Sequence, residues 1–332
     1  DRGVNRDVRS IRYPERFWQY EPRPATRTWA TGYGHALDRA VLAAALLREA
    51  GYEVTPIFVG TGPVFVGEGT PRLADLGHLY LSIKGDPAGL YDPAAGTLTG
   101  QAPLIGLPIW RTDQYVDPFL GNSQWPNRRE VTLTLEPGEE GTWTGHGQFG
   151  GSGFFCPQGE MAGLGDGARD YIAGVVGGVI TGAEVKGVNP EIFHQHQVVF
   201  GVDLEAAAPE PDAEGSTRLV IGTPGHGLLD RTGSVHVYEN ERQSPAILPG
   251  PMEQMVKVRL KVGDAPAHLP APVSLANEAG EFTMTVAEAD GWVTLTRELK
   301  LTAGEYAPEM WPQLRALLLE EGDTLNGTIV LD

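Results

Sequence analysis

The sequence has little cysteine, little lysine and no long hydrophobic run. Cys156 is the only cysteine among 332 residues, so neither an intramolecular disulfide nor a cysteine-based metal site can form. The longest strongly apolar stretch runs from Tyr171 to Ile180. It reaches about half of the roughly 20 residues that a membrane-spanning helix needs. We therefore expect no membrane insertion.

Positive charge is also scarce. The chain has 5 lysines and 20 arginines, and its formal net charge is −18. Because no basic patch is present, nucleic acid and anionic membranes are excluded as expected partners. The 44 glycines and 26 prolines indicate many turns, which favours β structure. The length suggests about two domains.

Hydrophobic periodicity divides the chain into an α+β region and a β-rich region. The first 30 residues, rich in proline and aromatics, are predicted to be extended. A helix is predicted from Ala36 to Ala50, capped by Gly51. Strands are then predicted at 54–59, 62–66, 79–83 and 90–93, with a hairpin at 98–110. We place a boundary at 122–127 and predict domains at 1–125 and 126–332.

The second region alternates between apolar and polar residues over many short segments. A strand at 129–135 and its partner at 141–149 predict a hairpin, and further strands are predicted as far as residue 301. Helices are predicted at 166–179 and 308–320. The expected form of this region is a β sandwich.

The segment GYGHALDRAVL, at residues 32–42, leads into the first predicted helix. It resembles the nucleophile helix of bacterial transglutaminase-like proteins, which carry a catalytic cysteine two residues after a glycine and two before an acid. Gly34, Asp38 and Arg39 match this pattern in register. The cysteine position holds Ala36.

Two later segments follow in the order of that family. Leu76–Leu81 resembles the strand that presents the catalytic histidine, here His78. Tyr91–Ala94 resembles the segment that presents the catalytic aspartate, here Asp92. The later β region resembles the domain that follows in proteins of the DUF3857 type. The resemblance implies a papain-like core, an exported (periplasmic or extracellular) location and a longer precursor.

Thiol acyl transfer needs a thiolate at a helix start, a histidine as acid and base, and an aspartate that orients the histidine. The sequence supplies Ala36 in place of the sulfur, together with His78 and Asp92. His35 lies one helical step away, and Cys156 falls in the other domain, where a small buried hydrophobe is the expected role. As written, the chain is not expected to be an enzyme.

Three functions stay open. The first is a non-catalytic transglutaminase-like module that binds a peptide or protein in its cleft or acts as a scaffold. The second is a cysteine peptidase or protein-glutamine acyltransferase whose nucleophile has been replaced by Ala36. The third is a structural subunit of an exported assembly. The missing N-terminal part of the precursor is a further candidate partner.

Other candidate sites carry simpler explanations. His194 and His196 are predicted on one face of a strand, but zinc needs a third ligand and neither His226 nor His236 is fixed nearby. The glycines at 145–153 lack the lysine and the helix of a phosphate loop. We therefore expect neither a metal nor a cofactor. His78 and Asp92 also have structural alternatives, as a strand histidine and a turn aspartate.

Overall fold

A computed structural model describes most of the chain, and it divides into two compact units, residues 1–120 and 121–332. Residues 122–125 of the boundary predicted at 122–127 lie outside the described residues. The described residues are 4, 7–11, 21–60, 76–84, 89–94, 96–99, 109–111, 115–116, 126–139, 141–157, 167–194, 196–207, 210–225, 227–229, 235–263 and 267–331.

The first unit combines two helices with strands. Its helices are α1 (Ala25–Thr31) and α2 (Ala36–Glu49). Its strands are β1 (Arg9–Ser10), β2 (Tyr33–Gly34), β3 (Glu53–Gly60), β4 (Leu76–Lys84), β5 (Gly89–Asp92), β6 (Thr97–Thr99), β7 (Ile109–Arg111) and β8 (Tyr115–Val116).

Helix α1 corrects the prediction that the first 30 residues are extended. Pro24 precedes the helix instead of interrupting it, and a proline there removes no intrahelical hydrogen bond. Gly32 ends α1 with φ of +66°, a conformation that glycine adopts without steric cost. Helix α2 begins at Ala36 and ends at Glu49; the amide of Gly51, the predicted cap, donates to Arg48 O at 3.0 Å.

The sheet of the first unit has the strand order β6-β5-β4-β3-β7-β8. The hairpin predicted at 98–110 is therefore wrong, because β6 pairs with β5 while β7 pairs with β3 on the other side. The strand predicted at 62–66 lies outside the described residues. Strands β3, β4 and β5 are antiparallel neighbours, so they form the centre of the unit.

The two faces of this sheet carry separate apolar clusters. Leu79, Leu81 and Tyr91 pack with the alanines of α2 on one face. Tyr80 and Leu90 alternate with them and belong to a second cluster. Because side chains along a strand point to opposite faces in turn, helix α2 covers only the Leu79–Leu81 face.

The second unit is dominated by strands. Its helices are α3 (Gly167–Val179) and α4 (Trp311–Gly322). Its strands are β9 (Asn127–Pro137), β10 (Thr142–Ser152), β11 (Ala183–His194), β12 (Gln197–Ala207), β13 (Thr217–Val220), β14 (Ala246–Ile247), β15 (Met252–Lys261), β16 (Ala267–His268), β17 (Val273–Asn277), β18 (Gly280–Ala289), β19 (Trp292–Leu301), β20 (Glu305–Tyr306) and β21 (Thr328–Leu331).

Eight strands form one large sheet in the order β11-β12-β10-β9-β15-β19-β18-β17. One face is apolar and contacts α3 near β11 and α4 near β17, β18 and β19. The other face is polar and accessible, as the alternating burial of β9 and β15 shows. The expected sandwich thus takes a different form in the described residues, since helices cover the apolar face of one broad sheet that is antiparallel except where β9 and β15 pair in parallel.

A polar network lies within the buried face beside helix α4. Arg129 on β9 donates from Nε to Gln254 Oε1 on β15 at 2.8 Å, and Gln254 Nε2 donates to the Glu321 carboxylate on α4. Arg297 on β19 donates to Ile221 O at 2.9 Å and to the backbone of Glu321. The network joins three neighbouring strands to one helix.

Helices of the described residues are too short or too polar to cross a lipid bilayer.

Candidate functional site

Ala36 is the first residue of helix α2, and the residue before it caps the helix. His35 Nδ1 accepts a hydrogen bond from the Leu37 amide at 3.3 Å. In return, the Asp38 carboxylate accepts from the His35 amide at 3.1 Å. This reciprocal pair is a capping box, with histidine in the position that serine or threonine commonly takes.

The titratable side chains at this helix start are buried, and burial and their contacts shift their pKa values. Burial lowers the pKa of His35, although Asp38 nearby acts to raise it. Because Nδ1 accepts a hydrogen bond, the neutral ring carries its proton on Nε2. Burial alone would raise the pKa of Asp38, but hydrogen bonds from Arg23 and His35 and the Arg23 charge bring it below its usual value.

Arg23 anchors the cap from outside the helix. Its backbone amide and its Nε donate to the two oxygens of Asp38 at 2.8 and 3.0 Å. Its guanidinium also lies 4.7 Å from the centre of the Tyr33 ring. The start of helix α2 at Ala36 is therefore held by Arg23 and His35, which precede it, and by Asp38, which follows it.

The start of α2 lies beside the end of strand β5. Arg39 Nη1 donates to Ala94 O at 3.0 Å, two residues beyond Asp92. At its other end, α2 is held by the Arg48 side chain, which donates to Val54 O at 2.8 Å. Strand pairing puts Val54 opposite Ile83, far along β4 from His78. Ala36, His78 and Asp92 are thus all at the same end of the first unit.

His78 and Asp92 share a face of the sheet. The rings of His78 and Tyr80 are 6.4 Å apart, and Asp92 follows Leu90, which packs in the same cluster as Tyr80. Helix α2, which carries Ala36, packs on the opposite face. His78 is exposed and lies next to an irregularity in the pairing of β3 with β4, between Val59 and Gly60, where such irregularities can re-aim side chains.

Asp92 also has a local role. Its Oδ1 accepts from the Ala94 amide at 2.7 Å, and Gly96 N donates to Asp92 O at 2.6 Å. These bonds close the turn after β5. Burial raises the pKa of Tyr80 to about 12, and the Asp92 charge adds to the shift.

The structure therefore puts the helix start and the His78–Asp92 pair at the same end of the first unit but on opposite faces of its sheet. The first residue of the helix, Ala36, brings no sulfur. The methyl group of Ala36 cannot attack a carbonyl carbon, so a nucleophile would have to come from elsewhere. Sequence reasoning missed the cap formed by Arg23, His35 and Asp38. The spacing His35-x-x-Asp38, a capping-box pattern before an apolar helix, could have indicated it.

The other predicted candidates lie in the second unit. Cys156 is buried, and its Sγ lies 3.5 Å from His194 O. His194 ends strand β11, while His196 lies in the turn to β12, so the expected strand face shared by both is wrong. Their rings are 5.5 Å apart, and within the described residues no group of three or more metal-ligating side chains forms. His226 lies outside those residues.

Comparison with known families matches part of the second unit. A model described as "Domain of Unknown Function with solved-structure structure (DUF3858)" matches residues 227–331. No transglutaminase-like family model matches the chain. No curated protein matches it either.

Solved structures give a broader likeness. The crystal structure of a "putative protease" from Parabacteroides distasonis matches 99% of this chain at 12% identity and a TM-score of 0.55, and the chain spans 50% of that protein. This likeness shows a shared fold. An M1 zinc metallopeptidase from Deinococcus radiodurans matches 65% of this chain and 44% of its own at 12% identity, but its TM-score is 0.22.

Proposed function

We propose that residues 1–125 form a transglutaminase-like, papain-like core without a nucleophile, and that this core binds a peptide or protein segment without cleaving it. The observation that carries the proposal is the helix start at Ala36, whose first turn is hydrogen-bonded through Arg39 to the loop that follows Asp92. A helix start held beside the end of β5 suits a cleft in which α2 and the strand ends meet.

Two further features support this proposal. The residues of the expected triad lie at one end of the unit in the family's order. The fold also resembles that of the Parabacteroides distasonis protein over nearly the whole chain. We extend the proposal to an exported, periplasmic or extracellular protein.

A second candidate function is an enzyme, either a cysteine peptidase or a protein-glutamine acyltransferase, whose nucleophile was replaced at Ala36. One observation favours it. His78 is exposed, and Asp92 lies on the same face of the sheet. Thiol chemistry uses a histidine together with an acid of this kind. A structural subunit of an exported assembly would have no need of that pair.

Restoring the thiol tests the core assignment. In Ala36→Cys, the helix N-terminus and His78 should lower the thiol pKa, so iodoacetamide should label Cys at position 36 at least about tenfold faster at neutral pH than an ordinary thiol. Ala50→Cys is the matched control, because it puts the same thiol at the opposite end of α2. The unmodified chain measures any contribution of the buried Cys156.

Adding His78→Ala then separates the contribution of the histidine to the thiol pKa from that of the helix N-terminus. Slower labelling in the Ala36→Cys, His78→Ala double variant would support the triad assignment. Equal labelling of the thiols at positions 36 and 50 would overturn it. Turnover of a glutamine-containing peptide by Ala36→Cys would favour the replaced-enzyme candidate, whereas fast labelling without turnover would favour the binding module.

A further inference from the structure

The open face of the large sheet carries a polar trough in the second unit. Its volume is about 410 Å³, within the range of small-molecule sites. Outward-facing residues of β9, β10 and β12 line it, among them Arg128, Glu130, Thr132, Gln197 and Val199. All of these residues belong to the second unit.

Gly150 forms the floor, and packing does not explain why it is a glycine. A Cβ at Gly147 would come within 1.9 Å of Thr132 O, and one at Gly151 within 2.2 Å of Phe155 O. A Cβ at Gly150 would meet nothing closer than Glu130 Cβ at 3.9 Å. Glycine weakens a strand interior, and it often marks a place where a ligand approaches the backbone.

The walls of the trough are polar side chains that neighbours hold in place. Arg128 and Glu130 form an ion pair at 3.1 Å. Gln148 Nε2 donates to Glu191 Oε2 at 2.8 Å, which leaves its Oε1 as an acceptor. The lining therefore offers both hydrogen-bond donors and acceptors, and the Arg128–Glu130 ion pair keeps its net charge close to zero.

The backbone restricts what could bind here. Strand β10 is paired on both sides, with Gly150 opposite Glu130 on β9 and Val199 on β12. A ligand must therefore bond to side chains, not to a free strand edge. Val199 adds an apolar surface beside these polar side chains. A ligand that carries hydroxyl groups around a partly apolar ring suits this mixed lining.

We propose that this trough binds a neutral, hydroxyl-rich ligand, namely one or two sugar rings of an oligosaccharide, over the bare backbone of Gly150. Hydroxyl groups can both donate and accept, so they match a lining of paired arginine and glutamate with glutamine and threonine. The volume accommodates such a ligand.

The test uses the full chain and four defined probes: cellobiose, maltose, lactose and di-N-acetylchitobiose. Ligand-observed NMR and calorimetric titration should show binding of at least one of them. Gly150→Thr fills the floor, so affinity should fall at least about tenfold. The thermal midpoint should stay equal or rise, because threonine favours strands.

Ala287→Thr is the matched control. It adds the same side chain at an exposed position of β18, outside the trough, and should keep both affinity and thermal midpoint. Gln197→Ala provides a second route, in case Gly150→Thr does not fold, and should also weaken binding.

Several outcomes would overturn the inference. Absence of binding by all four probes would do so, as would full affinity in Gly150→Thr or, if that variant does not fold, in Gln197→Ala. Binding of an unstructured peptide alone, lost in Gly150→Thr, would make the trough a peptide site instead. None of these outcomes touches the thiol-labelling test of the first unit.

Discussion

The helix cap of the first unit and the network of the second unit place their buried polar groups differently. In the first unit, Asp38 and His35 serve a single helix start, and the hydrogen bond that joins them spans three residues. In the second unit, the bond between Arg129 and Gln254 spans 125 residues, and the bond from Gln254 to Glu321 spans 67. One arrangement is local and the other joins distant parts of the chain.

This difference separates two uses of buried polarity. The capping box fixes where α2 begins and so positions the residue that follows it, Ala36. The network of the second unit fixes how β9, β15 and β19 meet helix α4. We therefore expect substitutions in the network to affect the whole second unit, and substitutions in the cap to act mainly around the helix start.

The largest expected effect tests the network. Arg129→Ala removes the bonds to Gln254 and to Gly227 O, the latter 2.5 Å long, and leaves Glu321 buried with less compensation. Burial raises the pKa of Glu321, and Arg129 is the first of the groups that counter this shift. Unfolding free energy should fall by about 3–5 kcal/mol. Urea unfolding combined with hydrogen exchange at β9 and β15 measures it.

The chain offers a matched control for sequence separation. Lys261 pairs with Glu136 at 3.4 Å, also across 125 residues, but both side chains are exposed. Lys261→Ala should change stability by no more than about 1 kcal/mol. A similar loss in both variants would show that sequence separation, and not burial, governs the effect, and the contrast between the units would fail.

The strands of the second unit could largely be predicted from alternation. Arg129 falls in phase with Val131 and Leu133, so its burial was readable from the sequence. The partner of Arg129 could not be predicted, because Gln254 lies on β15, a strand far along the chain that pairs in parallel with β9. Local pattern gives the strand and the face, but sheet order depends on pairings between distant segments.

At the candidate site, too, the sequence predicts some features and not others. The helix start at Ala36 followed from periodicity and was predicted to within a residue. Helix α1 is not predicted from the sequence, because the prolines and aromatics of that region favour an extended chain. The alternation of Leu79 and Leu81 with His78 could have indicated that the histidine is on the face opposite α2.

Asp38→Asn tests the local half of the comparison. The amide keeps the shape of the side chain, but it offers one acceptor oxygen where the carboxylate uses two to accept from Arg23 and His35. The expected loss is about 1–3 kcal/mol. Hydrogen exchange should rise most at the first turn of α2. Uniform acceleration across the first unit would contradict a local role.

The smallest effect concerns the pH dependence of the cap. The pKa of His35 in the folded chain is below its ordinary value of 6.5, and burial is the main cause. The stability that neutral His35 contributes is therefore complete above pH 6.5 and is lost as the pH falls through the folded-state pKa.

The variant His35→Asn tests this pH dependence, because asparagine keeps an acceptor for the Leu37 amide but does not titrate in this range. Asp38, whose pKa lies below 3.8, stays charged throughout. Between about pH 8 and pH 5, wild-type stability should fall relative to that of the variant. Parallel pH profiles would mean that protonated His35 also fits the helix start, and the difference between a titrating local cap and a fixed long-range network would shrink to one of distance alone.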